Sequence, residues 1–500
     1  MKKLLTPILF TMLTGALFNL SADQIDDSMF FKSEVKDAKT CELIVQNGKI
    51  SFPKSVTNPA ISCPDAFAWK KFLETIQSEF WTNWSYDTYT WPEKPYPLCT
   101  EDAVDKSACC DPDSTTNPGY DNESNPGIHC PYIPENQLAL NTNMKKSFNV
   151  DSKKVSSHGT IMDKIDPGRV IRQEMAEIVY RNKPMVDYVF RNNLYNNEGL
   201  GTRFKMTVTS NANNAPYQAK NLNISFPVDS IMFKTDWIHE DDAKALGMNQ
   251  NKKNPYITRY IKSNIGDNDP GVFKKGLYYL VSITAASKDL PNWHWYAIEH
   301  VDNKGRCDYT GCNDSYGYMN MNKNIPDGFA KNFIKPHTTS DNLKQASSIF
   351  ATGKKYKSGK INPSLAKVFK ALGIGQKDDN DSHSISVGDN AWMSYRLKGT
   401  QTEFTTNHGI NTVLGNSVTE GGFVNTSSCM TCHIQATVDS EGHPAISSIG
   451  FSSNLNLFGY NQSSKGTPSQ SWFYRPGTTE PIAVTTDFVW GILFSKPLDK

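Results

Sequence analysis

No G-x-G-x-x-G turn and no P-loop occur in the 500-residue chain, so nothing in it supports a dinucleotide-binding or phosphate-cradling half. Gly-x-Ser-x-Gly is missing too, which leaves an α/β-hydrolase elbow without support. Charge of one sign is not in excess: 52 Lys and Arg stand against 51 Asp and Glu, a formal net charge of +1, and nothing points to nucleic acid. Beyond about Leu20 no apolar run approaches the roughly 20 residues of a membrane-spanning helix, and mean hydropathy is −0.52. No internal repeat and no long low-complexity tract is present. Methionine is absent beyond Met430 and cysteine beyond Cys432, and both absences bear on the strongest motif in the chain.

The N-terminus reads as an export signal. Lys2 and Lys3 precede an apolar run from Leu4 to about Leu20, and Ser21 and Ala22 are small residues ahead of Asp23 and Asp26-Asp27. Thr11, Thr14, Gly15 and Asn19 interrupt the run, so it is marginal as a spanning helix, and no Cys at its end would carry a lipid. A cleaved signal peptide at 1–22 is the expectation, and a retained anchor the alternative. The remainder is expected to be periplasmic or secreted, with no stable membrane span.

Near the other end stands Ser428-Cys429-Met430-Thr431-Cys432-His433, a C-x-x-C-H. Two thiols three positions apart on one helical turn can each add to a haem vinyl group, which leaves the next residue's imidazole beneath the ring to ligate iron. With Cys and His each about 2% of the chain, a chance match is expected about once in a few hundred such sequences. A thioredoxin-like pair would want a strand before the motif, whereas Gly421-Gly422-Phe423-Val424-Asn425-Thr426-Ser427 precedes it. A zinc site would need a second close ligand pair, and no cysteine follows. Haem c attached at Cys429 and Cys432 with His433 as proximal ligand is therefore expected. Thioether formation outside the cytoplasm agrees with the export signal.

The sixth iron ligand is open. Small c-type cytochromes commonly use a downstream Met, which this chain lacks. His443, ten residues past His433, is a possible distal ligand. His294, His300, His408, Met319, Met321 and Met393 are others, and an open or water-bound iron is the remaining alternative.

Eight further cysteines, Cys41, Cys63, Cys99, Cys109, Cys110, Cys130, Cys307 and Cys312, suit up to four disulfides in an oxidising compartment. Cys307 with Cys312 is expected across the turn-like Asp308–Gly311, and a crosslinked loop is expected from Cys99, Cys109, Cys110 and Cys130. A metal cluster including His129 is the rival for that loop.

Periodicity sketches the rest. Helices are expected over Pro64–Phe80, over Arg169–Tyr195 with a break at Pro184, and over Ser364–Leu372 before Gly373. Strands are expected at 204–209, 224–228, 230–234, 277–283 and Trp293–His300. A helix-like stretch near Asn411–Thr419 and a final helix Phe488–Phe494, capped by Thr485-Thr486-Asp487, would flank the motif. The expected fold class is α+β: a central antiparallel or mixed sheet region with helices, plus a C-terminal reduced cytochrome c-like helical haem segment. The segments expected are 23–140 (helix and disulfide-rich irregular chain), 141–386 (sheet-containing domain) and 387–500 (haem segment). A haem on a loop at the edge of the larger domain is the other arrangement.

In a strand over Trp293–His300, Trp293, Trp295, Ala297 and Glu299 share one face and His294, Tyr296, Ile298 and His300 the other. The tryptophan face can pack on a porphyrin edge, and Glu299 or His300 can orient a propionate or supply a proton; an aromatic core strand ending in a polar turn is the plainer account.

Trp293-His294-Trp295 with Glu299, Asp302 and Asn303, then Trp392, Tyr395 and Leu397 with Gly399-Thr400-Gln401-Thr402, then Leu414-Gly415-Asn416-Ser417-Val418 leading into the C-x-x-C-H, and finally Thr486-Asp487-Phe488 form a set. Together they resemble a family of large exported bacterial monohaem cytochrome c proteins with W-x-W-x-x-x-E-x-x-D-N, W-x-x-Y-x-L and a C-terminal S-C-M-x-C-H. The resemblance runs from about Ala66 to the end, through short islands in the middle. It implies haem binding at Cys429, Cys432 and His433 and an electron-transfer role with a redox partner protein. A haem c-dependent oxidoreductase with its substrate pocket in the sheet domain, and a haem-based sensor of a small ligand, are the competing expectations.

Overall fold

The computed structural model describes residues 41–122, 126–134, 175–212, 223–245, 248, 252–261, 276–319, 356, 359–378, 385–420, 427–445, 465–478 and 480–499. The expected signal peptide lies outside them. The hairpin β1 (Ile44–Gln46) and β2 (Lys49–Ser51) comes first, closed by Asn47 and Gly48, both at positive φ as a two-residue hairpin turn requires. The helix Pro64–Gln77 follows, with its proline in the first turn, where a missing N–H costs nothing. Its recurring Trp69, Phe72, Leu73 and Ile76 are fully buried. The helix ends earlier than its apolar spacing suggests, because Glu79 turns left-handed (φ 49°) before a separate short helix, Phe80–Asn83.

The core is a seven-stranded antiparallel sheet, so the fold is α+β. Its strands are β3 (Ser85–Tyr86), β4 (Met175–Arg181), β5 (Ile231–His239), β6 (Thr258–Ile261), β7 (Gly276–Ser287) and β8 (His294–His300). After a separate pair, β9 (Tyr318–Met319) with β10 (Lys360–Ile361), the chain returns as β11 (Tyr395–Gln401). The order is β11-β8-β7-β5-β4-β3, with β6 also on β7. A last pair, β12 (Thr437–Val438) and β13 (Val484–Thr485), lies after the C-x-x-C-H. Among the described residues no helix is long and apolar enough to cross a membrane.

The two faces of the sheet differ in chemistry. Register puts Tyr180, Phe233, Ala285 and Tyr296 side by side on one face. There Phe80 packs on Tyr180 and Phe233, at ring distances of 4.9 and 4.6 Å, and Phe72 stacks on Phe233. The opposite face carries Lys234, Asp236, Ser282, Thr284 and Glu299. A bulge in β11 between Leu397 and Gly399 adds Lys398, whose ammonium lies 3.1 Å from Glu299 Oε1. Both members of this ion pair are buried.

Residues 414–420 cover that polar face. Asn416 donates to Ile283 O and Thr284 Oγ1, the Ser417 backbone N–H and hydroxyl donate to Glu299, and the Thr419 hydroxyl donates to Asp236. This is why Asn411–Thr419 is not the helix its spacing suggests: its polar groups bond to the sheet rather than along their own turn. Among the described residues after 387 the α-helical element is Cys429–His433 alone, and the expected final helix is a 3-10 turn, Trp490–Phe494.

Three further expectations are corrected. Residues 204–209 lie in a helix, Asn197–Ala212, because Leu200, Phe204 and Thr207 are buried at helical spacing and Asn196 caps the first turn through Gly199 N–H. The β-branched Thr-Val-Thr there misleads, since burial overrides local propensity. Of the helix expected over Arg169–Tyr195, residues 169–174 lie outside the described residues; the rest opens as β4, whose Ala176, Ile178 and Tyr180 alternate inward, followed by a helix Lys183–Arg191 that begins near Pro184 instead of breaking there. Residues 224–228 form no strand, although Ile224 and Phe226 are buried. Expectation and structure agree on β5, β7 and β8, and on the helix Pro363–Ala371, which Gly373 at φ 69° terminates.

All eight remaining cysteines pair: Cys41–Cys63, Cys99–Cys109, Cys110–Cys130 and Cys307–Cys312. The cysteines of the 99–130 loop are thus all engaged in crosslinks. Four disulfides fit a protein that folds in an oxidising compartment.

Two buried carboxylates brace the turn after Cys312. Asp65 accepts from Ser315 N–H and Thr400, and Asp314 Oδ1 accepts from Trp69 Nε1, Tyr316 N–H and Gly317 N–H. Burial, with Asp65 as a like-charged neighbour, raises Asp314 from the usual 3.8 to about 7. Between those pH values the folded chain holds a proton that the unfolded chain releases, so stability falls as pH rises through that window. Asp314→Asn, whose amide oxygen can serve the same three donors, should flatten that slope in urea unfolding measured from pH 4 to 7; an unchanged slope would refute the assignment. Lys398→Met leaves Glu299 buried without its countercharge and should cost about 3–5 kcal/mol. A loss below about 1 kcal/mol in the same assay would mean that the neutral donors alone sustain Glu299.

Candidate haem-attachment site

The C-x-x-C-H forms one helical turn, Cys429–His433, capped by Ser428, whose Oγ accepts from Thr431 N–H at 3.2 Å. Gln401 at the end of β11 holds this turn from the sheet side: its Oε1 accepts from Met430 N–H, and its Nε2 donates to Ser428 Oγ (2.8 Å) and Thr412 Oγ1 (2.7 Å). Leu414 and Ser427 bond reciprocally, so the start of the strip covering the polar face is tied to the residue before the Ser428 cap.

Cys429 and Cys432 are the two cysteines outside the disulfides. Cys429 is buried, with its sulfur 3.5 Å from Leu414 O. Burial, then the nearby Glu420 carboxylate, pushes its thiol well above the usual range. A redox-active C-x-x-C needs the opposite, a stabilised and reachable thiolate. The thiol pair is thus poorly suited to disulfide exchange.

His433 has a defined tautomer. Its Nδ1 lies 2.8 Å from the carbonyl oxygen of Phe488, which can only accept, so Nδ1 carries the proton and Nε2 keeps its lone pair. Burial, reinforced by the Lys234 charge, lowers its pKa to about 3, so the imidazole is neutral at physiological pH. Trp295, on the polar face of β8, packs its ring 4.5 Å from the imidazole and 6.1 Å from Phe488, which in turn stacks on Phe404. An imidazole that gives Nδ1–H to a backbone carbonyl and offers Nε2 is the state of a metal-ligating histidine. Two cysteines and this imidazole on one turn are the donor set that haem c needs, and on these observations the residues fit the group. Among the described residues no three His, Cys, Asp or Glu gather as a metal-ion site, a grouping that haem does not require.

The other expected residues are placed as follows. His443 is exposed, its Nδ1 3.4 Å from Glu441 Oε2, in a turn held by Asp439 and packed closely on the helix Asn197–Ala212 at Gly201. His300 uses both ring nitrogens, toward Pro255 O and from Asp302 N–H, and stacks on Tyr256. His294 is buried on the apolar face against Phe67, with Nε2 toward Pro64 O. His408 is exposed, Met393 packs near Gly375, Met319 lies in β9, and Met321 lies outside the described residues. Glu299 is bound by Lys398, Ser417 and Asn303, so it serves the sheet and its cover. Trp293 precedes the strand, at φ 62°, and its Nε1 reaches Asp487 instead of joining the Trp295 face.

Sequence reasoning named Gln401 only within the Gly399-Thr400-Gln401-Thr402 run of the family resemblance and gave it no role. It missed the Phe488 carbonyl, since a backbone acceptor gives no signal. Comparison of the chain with protein-family models, with curated proteins and with solved structures finds no match.

Proposed function

We propose that the chain is an exported, periplasmic or secreted monohaem c-type cytochrome that carries electrons to or from a redox partner protein. Haem c would be attached at Cys429 and Cys432, with His433 as proximal iron ligand. The observation that carries this reading is the His433 imidazole: half-buried, neutral, committed at Nδ1 to Phe488 O and offering Nε2 from the same turn as the two cysteines outside the disulfides.

When bound, the haem supplies a one-electron Fe(III)/Fe(II) couple. The protein's own contribution is to position and exclude. The capped turn fixes the two sulfurs and the imidazole together, and Gln401 keeps that turn in register with β11. Trp295 packs its ring on the imidazole, and Phe488, itself stacked on Phe404, packs on Trp295 in turn; such an apolar surrounding limits solvent access and tunes the potential. The raised thiol pKa of Cys429 argues against a dithiol oxidoreductase at the same motif. Four disulfides and the N-terminal signal pattern favour the exported location.

The test is expression with a cytochrome c maturation system, followed by denaturing electrophoresis and haem staining. The wild-type chain should retain one haem through denaturation, and Cys429→Ala with Cys432→Ala should lose it. Covalent haem persisting in that double variant, or none in a folded wild-type chain, would overturn the proposal.

A further inference from the structure

The carbonyl that orients His433 sits in an unusual piece of backbone. Asp487 and Phe488 are consecutive non-glycine residues at positive φ, 53° and 70°. This region disfavours residues with a Cβ, so it persists only where the surroundings over-determine it. The surroundings here do. Asp487 Oδ1 accepts from Lys288 Nζ at 2.6 Å and from Trp293 Nε1 at 3.3 Å, and its Oδ2 accepts from Phe226 N–H at 2.8 Å. Lys288 also donates to Pro291 O, and its ammonium lies over the Trp293 ring. On the other side Thr486 donates through both its backbone N–H and its hydroxyl to Ala436 O, three residues past His433. The turn is therefore gripped at the carboxylate by the region around the start of β8 and at Thr486 by the motif's own continuation. Between these grips the Phe488 carbonyl points at His433 Nδ1.

We propose that Asp487, clamped by Lys288, Trp293 and Phe226, is a positioning residue for His433: it holds the left-handed Asp487-Phe488 turn, and with it the carbonyl that fixes the tautomer and plane of the imidazole. Removing the carboxylate releases the turn toward ordinary backbone angles, which carries the Phe488 oxygen away from Nδ1. The imidazole then loses its single tautomer. As an iron ligand it also loses basicity, because donation from Nδ1–H is what enriches Nε2. The functional meaning rests on His433 being an iron ligand, but the first measurement does not.

That measurement is made on the full-length chain expressed without haem attachment and labelled with 15N-histidine, where the ring nitrogens report the tautomer directly. Wild-type His433 should show Nδ1–H alone. Asp487→Ala should give a mixture with Nε2–H and at least a tenfold faster exchange of the ring proton. Asp487→Asn, which keeps an acceptor and tolerates the left-handed region, should fall between. Lys288→Met, which removes the clamp from the other end, should also give a mixture and carries the test if Asp487→Ala does not fold. A folded Asp487→Ala or Lys288→Met chain that keeps the wild-type tautomer overturns the inference, whatever the haem stain shows. In the haem-loaded protein both variants should shift the midpoint potential upward, since a less basic imidazole stabilises ferric iron less; an unchanged potential would equally count against it.

Discussion

Glu299 is a carboxylate with no solvent contact in the middle of a β-sheet, and the arrangement of the C-terminal part follows from how it is satisfied. An ionised carboxylate in such a place is tolerated only with a countercharge and donors for its remaining lone pairs. Lys398 provides the first, and it reaches the right face because β11 carries a bulge beside it. Ser417 provides two donors and Asn303 a third. Ser417 can do so only if residues 414–420 lie flat on the polar face, with Asn416 on Thr284 and Thr419 on Asp236. Once that strip is placed, Leu414 fixes Ser427, and Ser428 starts the turn that carries Cys429, Cys432 and His433. A buried charge in β8 thus sets the position of the motif more than a hundred residues later.

The strand that carries Glu299 also carries Trp295, two steps of the pleat away on the same face, and Trp295 is what His433 packs against. One strand therefore supplies both the polar anchor of the cover and the apolar wall of the site. The opposite face, with His294, Tyr296 and Ile298, is committed to the aromatic core under the helix Pro64–Gln77. This division explains why neither His294 nor His300 is available at the motif, although both stand close to Trp295 in sequence.

How much of this was legible in the sequence follows the range of the forces involved. The helix Pro64–Gln77, the alternation of Trp295, Ala297 and Glu299, the Cys307–Cys312 crosslink and the C-x-x-C-H are local patterns, and each was readable. The helix Asn197–Ala212 was not, because Thr207-Val208-Thr209 reads as strand until Leu200, Phe204 and Thr207 are known to face one core. Asn411–Thr419 misleads for the converse reason: its helical spacing is real, but Glu299 and Thr284 outbid the turn for its polar groups. The Phe488 carbonyl was invisible in principle. A backbone oxygen has no residue type, and what aims it is a left-handed turn at residues whose side chains do not advertise one.

That last case bears on why so much chain surrounds one imidazole. A C-x-x-C-H turn alone fixes the two sulfurs, but it leaves the histidine ring free to rotate and to exchange tautomers. Fixing it takes an acceptor on its Nδ1 side, a wall on its face, and supports that keep both still. Here the acceptor comes from residue 488, the wall from 295, and the supports from 226, 288 and 293. These positions are distant in sequence and meet only because β5, β7 and β8 are neighbours, with Lys288 directly after one strand and Trp293 directly before the next. On this account the large sheet is the frame that holds the proximal side of the proposed site in one state, a task that a short helical module performs with far fewer residues only when its ligand set is packed by its own helices.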